Sequence, residues 1–250
     1  MPDIPYCGSP PLPGSVTWNL DPLLLALLAL VGFAGSWRLR PEASRRQACF
    51  VVGWGILFLA LVSPLCNLSV ALFGARVAQH VLLALVVAPL LAYGLRIRVR
   101  GLLLPSVAFG LAIWGWHLPA FYVATFAGDG IAYWAMHGTT IGAALWLWGG
   151  LLSRSVDRPD LTALAALVTA VHMGVLGALL TLAPRPLYAP HAHGVTEPWG
   201  YTALEDQQLG GLLMWVPGGL LFAAVVVAGL ALALRRAEAG AARPQVLRRT

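Results

Sequence analysis

The sequence predicts an all-α polytopic membrane protein with seven transmembrane helices. Of its 250 residues, 59% are hydrophobic and only 10% are charged, whereas a soluble domain is about one quarter charged. Apolar stretches of roughly 20 residues, the length that crosses a bilayer, recur along the chain. Arginines, in turn, cluster in alternate connections between these stretches. No segment is left over for a separate soluble domain, so the chain is expected to form one membrane domain.

The predicted membrane domain covers residues 20–234, and each of its spans has roughly the length that a bilayer requires. The spans are Leu20–Trp37, Ala48–Cys66, Val77–Leu95, Leu102–Pro119, Ile131–Leu152, Leu161–Ala183 and Leu209–Leu234. Residues 1–19 form a proline-rich tail that lacks the basic start of a cleavable signal. A long loop, residues 184–208, joins the last two spans, and residues 235–250 form an arginine-bearing tail.

The arginines predict the orientation of the chain. All sixteen basic residues are arginines, and connections on the cytoplasmic side of a membrane are rich in basic residues. Fourteen arginines follow the first, third, fifth and seventh spans: Arg38, Arg40, Arg45, Arg46, Arg96, Arg98, Arg100, Arg154, Arg158, Arg235, Arg236, Arg243, Arg248 and Arg249. Only Arg76 and Arg185 fall on the other side. The N-terminus is therefore predicted outside and the C-terminus inside, and the pI of 9.8 reflects topology rather than nucleic-acid binding.

The outer loop and the helix it enters, Ala183–Gly219, form the long polar segment of the chain, and we expect an outside partner to bind there. Thr202 and Glu205 have the spacing of a capping box at the start of the last helix. Asp206 has two interpretations. It complements the dipole of its own helix, or it faces the histidines as a metal ligand or as the partner of one.

None of the six histidines is placed in an inner loop or clearly in the inner half of a predicted span. They are His80, His117, His137, His172, His191 and His193. Polar side chains within spans are costly and are candidates for function, and imidazole is a common metal ligand. His80, His117 and His137 belong to three different spans at similar depth, so they can converge into one metal site. The alternative is that each bonds a neighbouring group. His172 lies deeper, as a further ligand, a proton relay or a helix–helix contact.

Methionine and cysteine bear on the identity of the metal. Thioethers select Cu(I), whereas imidazole suits copper and zinc alike. Met173 follows His172 in the sequence, and Met214 enters the last span from the loop; the alternative for both is apolar packing. Cys7 and Cys66 share the outer side, where they form either a disulfide or a thiol pair that holds a soft metal.

Four blocks of the sequence resemble a known family. They are SPLCNLSVALFGARVAQHVLLALVVAPLL, WHLPAFY, HMGVLGALLTLAPRPLYAPH and PWGYTALEDQQLGGLLMWVPGG. They resemble the integral-membrane cytochrome c oxidase assembly family of the CtaG type, which are seven-helix bacterial membrane proteins. The resemblance extends from the second span to the seventh, and its last two blocks are long and specific.

The resemblance implies a non-enzymatic role in copper supply on the periplasmic face of the bacterial inner membrane. The implied partner is a cytochrome c oxidase subunit or another copper chaperone. The matching blocks contain His80, His117, His172, His191 and Glu205–Gln208. In one respect the sequence departs from the pattern. Two histidines four residues apart are expected at the third span, where this chain has Arg76 followed by His80, so one side-chain ligand is missing.

Three functions are therefore compared. The first is a copper-binding assembly factor that holds Cu(I) or Cu(II) near the outer face. The second is a zinc-dependent intramembrane hydrolase, although no span carries an H-x-x-x-H pair and Asp206 is the one well-placed acid. The third is a haem-binding membrane protein with two axial histidines, such as His80 and His137, which would leave the methionines without a role.

Overall fold

The computed structural model describes residues 4–40, 44–192 and 194–247, with the backbone alone for residues 44 and 240–247. The described residues contain α-helices and no strand. The α-helices are α1 (Pro22–Arg38), α2 (Ser44–Val62), α3 (Pro64–Ala71), α4 (Phe73–Leu82), α5 (Ala88–Gly94), α6 (Leu103–His117), α7 (Pro119–Ala124), α8 (Ile131–Arg154), α9 (Pro159–Leu182) and α10 (Ala203–Leu247). The predicted all-α class is confirmed.

The seven predicted spans correspond to α1, α2, α4 continued into α5, α6, α8, α9 and α10. Four described helices are long and apolar enough to cross a membrane: Arg45–Val62, Phe73–Gly94, Pro159–Leu182 and Ala203–Ala239. The helices α1 and α6 are apolar but shorter, with 17 and 15 residues. The helix α8 has 24 residues, and His137, Thr139 and Thr140 make it less apolar. The chain is therefore a membrane protein, whereas seven crossings remain a prediction.

A wide helical turn joins α4 to α5. Residues Leu83–Val87 form a π-helical segment, in which the backbone N–H of Ala88 donates to the carbonyl of Leu83. Pro89 has no N–H and crowds the carbonyl four residues before it, which disturbs the ordinary α-helical pattern. The indole N–H of Trp148 donates to the carbonyl of Ala84 at 2.8 Å. This bond supplies a partner that a backbone carbonyl inside a membrane requires.

The helices α9 and α10 pack closely because two glycines face each other. A Cβ atom on Gly211 would lie 2.7 Å from the carbonyl oxygen of Gly177 and 2.3 Å from Oγ1 of Thr181. Small residues permit such a close approach of membrane helices. The helix α10 also continues beyond the predicted end of its span at Leu234, as far as Leu247; residues 248–250 of the predicted tail lie outside the described residues.

The arginine-bearing connections lie together at one end of the bundle. The side chain of Arg154 donates to the carbonyl of Arg100, and Nη1 of Arg236 donates to the carbonyl of Asp157 at 3.0 Å. These contacts agree with the prediction that the connections share one side. Which side of the membrane they face remains a prediction.

The N-terminal segment is fixed at the opposite end of the bundle. Cys7 and Cys66 form a disulfide, which is one of the two alternatives left open by the sequence. The side chain of Asn67 donates to the carbonyls of Cys7 at 2.9 Å and Ser9 at 3.0 Å and accepts the backbone N–H of Thr17 at 3.1 Å. The tail is therefore held against α3 both covalently and by hydrogen bonds.

Candidate metal centre

A small cavity of about 40 Å³ lies among α4, α6, α8, α9 and α10. It is placed toward the end of the bundle opposite the arginine-bearing connections. Its lining is mostly apolar, and it includes three of the four methionines of the chain. The polar and sulfur-bearing lining residues are Arg76, His80, Trp116, His117, Tyr122, Met136, Thr140, Met173 and Met214. A cavity with such a lining presents soft sulfur atoms and imidazoles together.

His80 on α4 and His137 on α8 expose equivalent nitrogen atoms. Nδ1 of His80 lies 2.7 Å from the carbonyl oxygen of Arg76, and Nδ1 of His137 lies 3.1 Å from that of Tyr133. Because a carbonyl only accepts, each ring carries its proton on Nδ1 and a lone pair on Nε2. Both Nε2 atoms are buried without a hydrogen-bond partner, and the ring centroids are 4.9 Å apart. Metal-ligating histidines are commonly held by a carbonyl in this way.

His117 has the same local arrangement at the end of α6. Its Nδ1 lies 2.7 Å from the carbonyl oxygen of Ile113, so Nε2 again carries the lone pair. His80 and His117 both line the cavity, whereas His137 is absent from the lining and packs against His80. Within the described ranges, no group of three His, Cys, Asp or Glu residues is close enough to hold a metal ion. A site here therefore needs sulfur from methionine.

Three methionines on three helices supply that sulfur. Met173 and Met214 were predicted from the sequence, and both line the cavity. Met136 was absent from the predicted set. It precedes His137, and adjacent helical residues point about 100° apart; the structure accordingly places Met136 at the cavity and His137 against His80.

Arg76 brings a positive charge to the same cavity. Its side chain is 3% exposed, and its Nη2 donates to Oγ1 of Thr125 at 2.5 Å and contacts Sδ of Met136 at 3.7 Å. The guanidinium carbon lies 4.9 Å from the ring centroid of Tyr122 and 4.5 Å from that of Phe126. No role in the site was predicted for Arg76, which in the sequence is one of the two arginines on the other side and stands where the family pattern has a histidine.

The helices that line the cavity lie within the part of the chain matched by a family. The family model described as cytochrome c oxidase caa3 assembly factor (Caa3_CtaG) matches residues 30–236. The chain belongs to this family. The match confirms the resemblance drawn from the sequence blocks. No curated protein matches the chain, and no solved structure does.

His191 is committed to structural hydrogen bonds. Its Nδ1–H donates to the carbonyl of Ala71, at 3.1 Å, and its Nε2 accepts the hydroxyl proton of Tyr122, at 2.6 Å. Burial lowers the pKa of His191 to about 3, so the ring stays neutral. Both ring nitrogens of His191 have hydrogen-bond partners, so neither is free for the metal-ligand role predicted from the sequence.

Asp206 caps a helix other than its own. Its carboxylate accepts the backbone N–H groups of Phe73 at 2.6 Å and Gly74 at 3.0 Å, which begin α4. Neither sequence interpretation described this contact, since one placed Asp206 on the α10 dipole and the other beside the histidines. The expected capping box of α10 is present, with Glu205 Oε2 accepting the N–H of Thr202 at 2.8 Å and Thr202 Oγ1 accepting that of Glu205 at 3.2 Å.

The remaining candidates are not among the residues that line the cavity. Both ring nitrogens of His172 are buried without partners, but His172 is not among the lining residues, although the adjacent Met173 is. Cys7 and Cys66 are joined to each other, so neither sulfur is a thiolate in the oxidised protein. His193 lies outside the described residues. The fold thus brings His80, His117, Met173 and Met214 of the predicted set together at the cavity, with His137 packed against His80.

Proposed function

We propose that the chain is a copper-binding membrane assembly factor that supports maturation of the copper centre of a cytochrome c oxidase. The observation that carries the proposal is the adjacent pair of imidazoles, His80 and His137, whose Nε2 lone pairs are buried without partners. Leaving a buried acceptor unpaired costs about 1–3 kcal/mol. A metal ion bound to these nitrogens removes both costs, and His117 and the methionine sulfurs complete its surroundings.

The lining of the cavity supports copper better than zinc or haem. Thioether sulfur selects Cu(I), and Met136, Met173 and Met214 all line the cavity. A catalytic zinc site takes three protein ligands from His, Cys, Asp and Glu, and Asp206 is occupied by the cap of α4. Pockets for drug-sized ligands occupy about 300–1,000 Å³, so a cavity of about 40 Å³ is too small for a haem macrocycle.

The proposal places the copper site near the periplasmic face of the bacterial inner membrane. Its support is the position of the cavity opposite the arginine-bearing end, together with the tendency of basic connections to remain cytoplasmic. The partner is then a cytochrome c oxidase subunit or another copper chaperone that reaches this face. The role requires binding and release of copper without a catalytic base, so the protein acts as a chaperone and not as an enzyme.

Copper analysis of protein purified in detergent and loaded with Cu(I) under ascorbate tests the proposal. The wild type is compared with the His80→Ala/His117→Ala/His137→Ala variant and with His172→Ala, a matched control that removes a buried histidine outside the cavity lining. We expect bound copper in the wild type and the control, and its loss from the triple variant. Copper that persists in the folded triple variant, or zinc that binds in preference to copper, would contradict the proposal.

A further inference from the structure

Arg76 is a buried cation without an anionic partner. An arginine retains its charge when buried, and a buried charge is costly unless it is paired. Among the described residues, no carboxylate forms an ion pair with Arg76, and its Nε has no hydrogen-bond partner. The rings of Tyr122 and Phe126 stabilise the guanidinium only in part, since each such contact is worth about 0.5–2 kcal/mol.

The charge of Arg76 is also unfavourable for a metal ion alone in the cavity. Arg76 lines the same cavity as His80, His117 and the methionine sulfurs. Two positive charges repel each other strongly where water is scarce. The lining therefore contains imidazole and thioether lone pairs, which favour a cation, and the guanidinium of Arg76, which favours an anion. A bare metal ion would bind the lone pairs but be repelled by Arg76, whereas a bare anion would bind Arg76 but be repelled by the lone pairs.

We infer that the cavity takes the metal together with one small anionic co-ligand, which lies against the guanidinium of Arg76. The inference rests on the proposed copper function. The ligand class is a singly charged donor, either a halide ion or a thiolate sulfur. A copper(I) ion with one such anion has no net charge, so the pair adds none to the charge that Arg76 already places in the cavity. The metal side of the pair faces the imidazole nitrogens and the sulfurs, and the anion side lies against Arg76, so the pair stabilises the guanidinium as an oriented dipole.

Bromide is the probe for this co-ligand, because it differs from nitrogen and sulfur as a scatterer in X-ray absorption at the copper edge. Cu(I)-loaded wild type is measured with and without bromide, beside Arg76→Met and Arg76→Lys. Thr125→Val is a matched control that removes a hydrogen-bond partner of Arg76 while the charge remains. We expect a copper–bromide shell in the wild type, Thr125→Val and Arg76→Lys, and its absence in Arg76→Met. Thermal unfolding of each variant shows whether it is folded.

Copper(I) affinity gives a second measurement. If the bromide site has a dissociation constant near 10 mM, about 100 mM bromide raises the affinity for copper about tenfold. Bromide also complexes copper(I) in solution, so the effect is read as the ratio of wild type to Arg76→Met in identical buffers. That ratio should rise with bromide.

The outcomes separate this inference from the copper proposal. Copper bound to the wild type with no bromide shell, and with an affinity relative to Arg76→Met that rises neither with bromide nor with 2-mercaptoethanol, overturns the inference and leaves the copper function standing. A bromide shell that persists in folded Arg76→Met shows that Arg76 does not hold the anion. A wild type that binds no copper at any bromide concentration overturns both. A wild type that shows no bromide shell, but whose copper affinity relative to Arg76→Met rises with 2-mercaptoethanol in identical buffers, assigns the co-ligand to a thiolate.

Discussion

Replacement of Asp206 by alanine should destabilise the start of α4 and, with it, the proposed metal site. The carboxylate of Asp206 accepts the N–H groups of Phe73 and Gly74 at 2.6 and 3.0 Å. Asp206 is 1% exposed, so water does not readily replace these bonds. The helix that begins there carries Arg76 and His80, two of the residues that line the cavity. Disorder at Phe73 would therefore directly displace residues that line the cavity.

The size of the effect follows from the two contacts. A buried donor left without a partner costs about 1–3 kcal/mol, and removal of an N-terminal cap costs about 0.5–2 kcal/mol. These terms describe the same bonds in part, so we expect Asp206→Ala to lower the free energy of unfolding by about 2–4 kcal/mol. Asp206→Asn keeps one accepting oxygen and should lose about half as much.

The assay is unfolding of the purified protein in detergent, followed by circular dichroism, together with copper(I) affinity. Glu205→Ala is the matched control, because it removes the adjacent carboxylate from the same turn. Glu205 bonds only the exposed backbone and hydroxyl of Thr202, so its loss should cost less than about 1 kcal/mol. If Asp206→Ala is as stable as Glu205→Ala, the cap of α4 does not hold this end of the bundle and the reasoning is refuted.

Two further predictions concern His191 and the contact between α9 and α10. Burial holds the pKa of His191 at about 3, whereas an unfolded histidine titrates near pH 6.5. The free energy of unfolding is therefore greatest above pH 6.5 and falls as the pH drops toward 3. At pH 4.5 the expected fall is about 2–3 kcal/mol. Melting curves should show a smaller fall for His191→Gln, and parallel falls would assign the effect to other groups. Gly211→Ala should cost about 1–3 kcal/mol, because its Cβ meets the carbonyl of Gly177 at 2.7 Å. Gly219→Ala on the same helix is the control, since nothing lies within 4 Å of its Cβ, and equal melting temperatures would contradict the close contact.

The helices of this fold were predictable because hydrophobicity alone determines where an apolar chain becomes helical in a membrane. The number of membrane crossings was harder to predict from the sequence, because α1 and α6 are short and α8 contains polar residues. The break between α2 and α3 and the π-helical turn before Pro89 arise from single prolines. A hydrophobicity pattern does not record how the backbone bends around them, although each proline marks the place.

The site was predictable in its residue types and less so in its geometry. Histidines within spans are rare enough to be noticed individually, which identified His80, His117 and His137. The role of Met136 depends on which way a helix face turns, and that of Arg76 depends on which carboxylates lie nearby. The sequence contains Asp206 and Arg76 alike, but only the fold shows that Asp206 binds the backbone of Phe73 and Gly74 and leaves Arg76 unpaired.

The loop of residues 184–208 packs against residues that line the cavity, and none of its described residues is itself part of the lining. Tyr188 stacks on Phe73 with ring centroids 4.7 Å apart, and its hydroxyl donates to the carbonyl of His117 at 3.0 Å. His191 bonds Tyr122, while Phe73, His117 and Tyr122 all line the cavity. Because these three loop contacts end on lining residues, a partner that displaced the loop would alter the cavity without touching it. If the proposed copper site is correct, the loop is placed to couple binding of the proposed partner to release of the copper, through its buried aromatic and imidazole contacts.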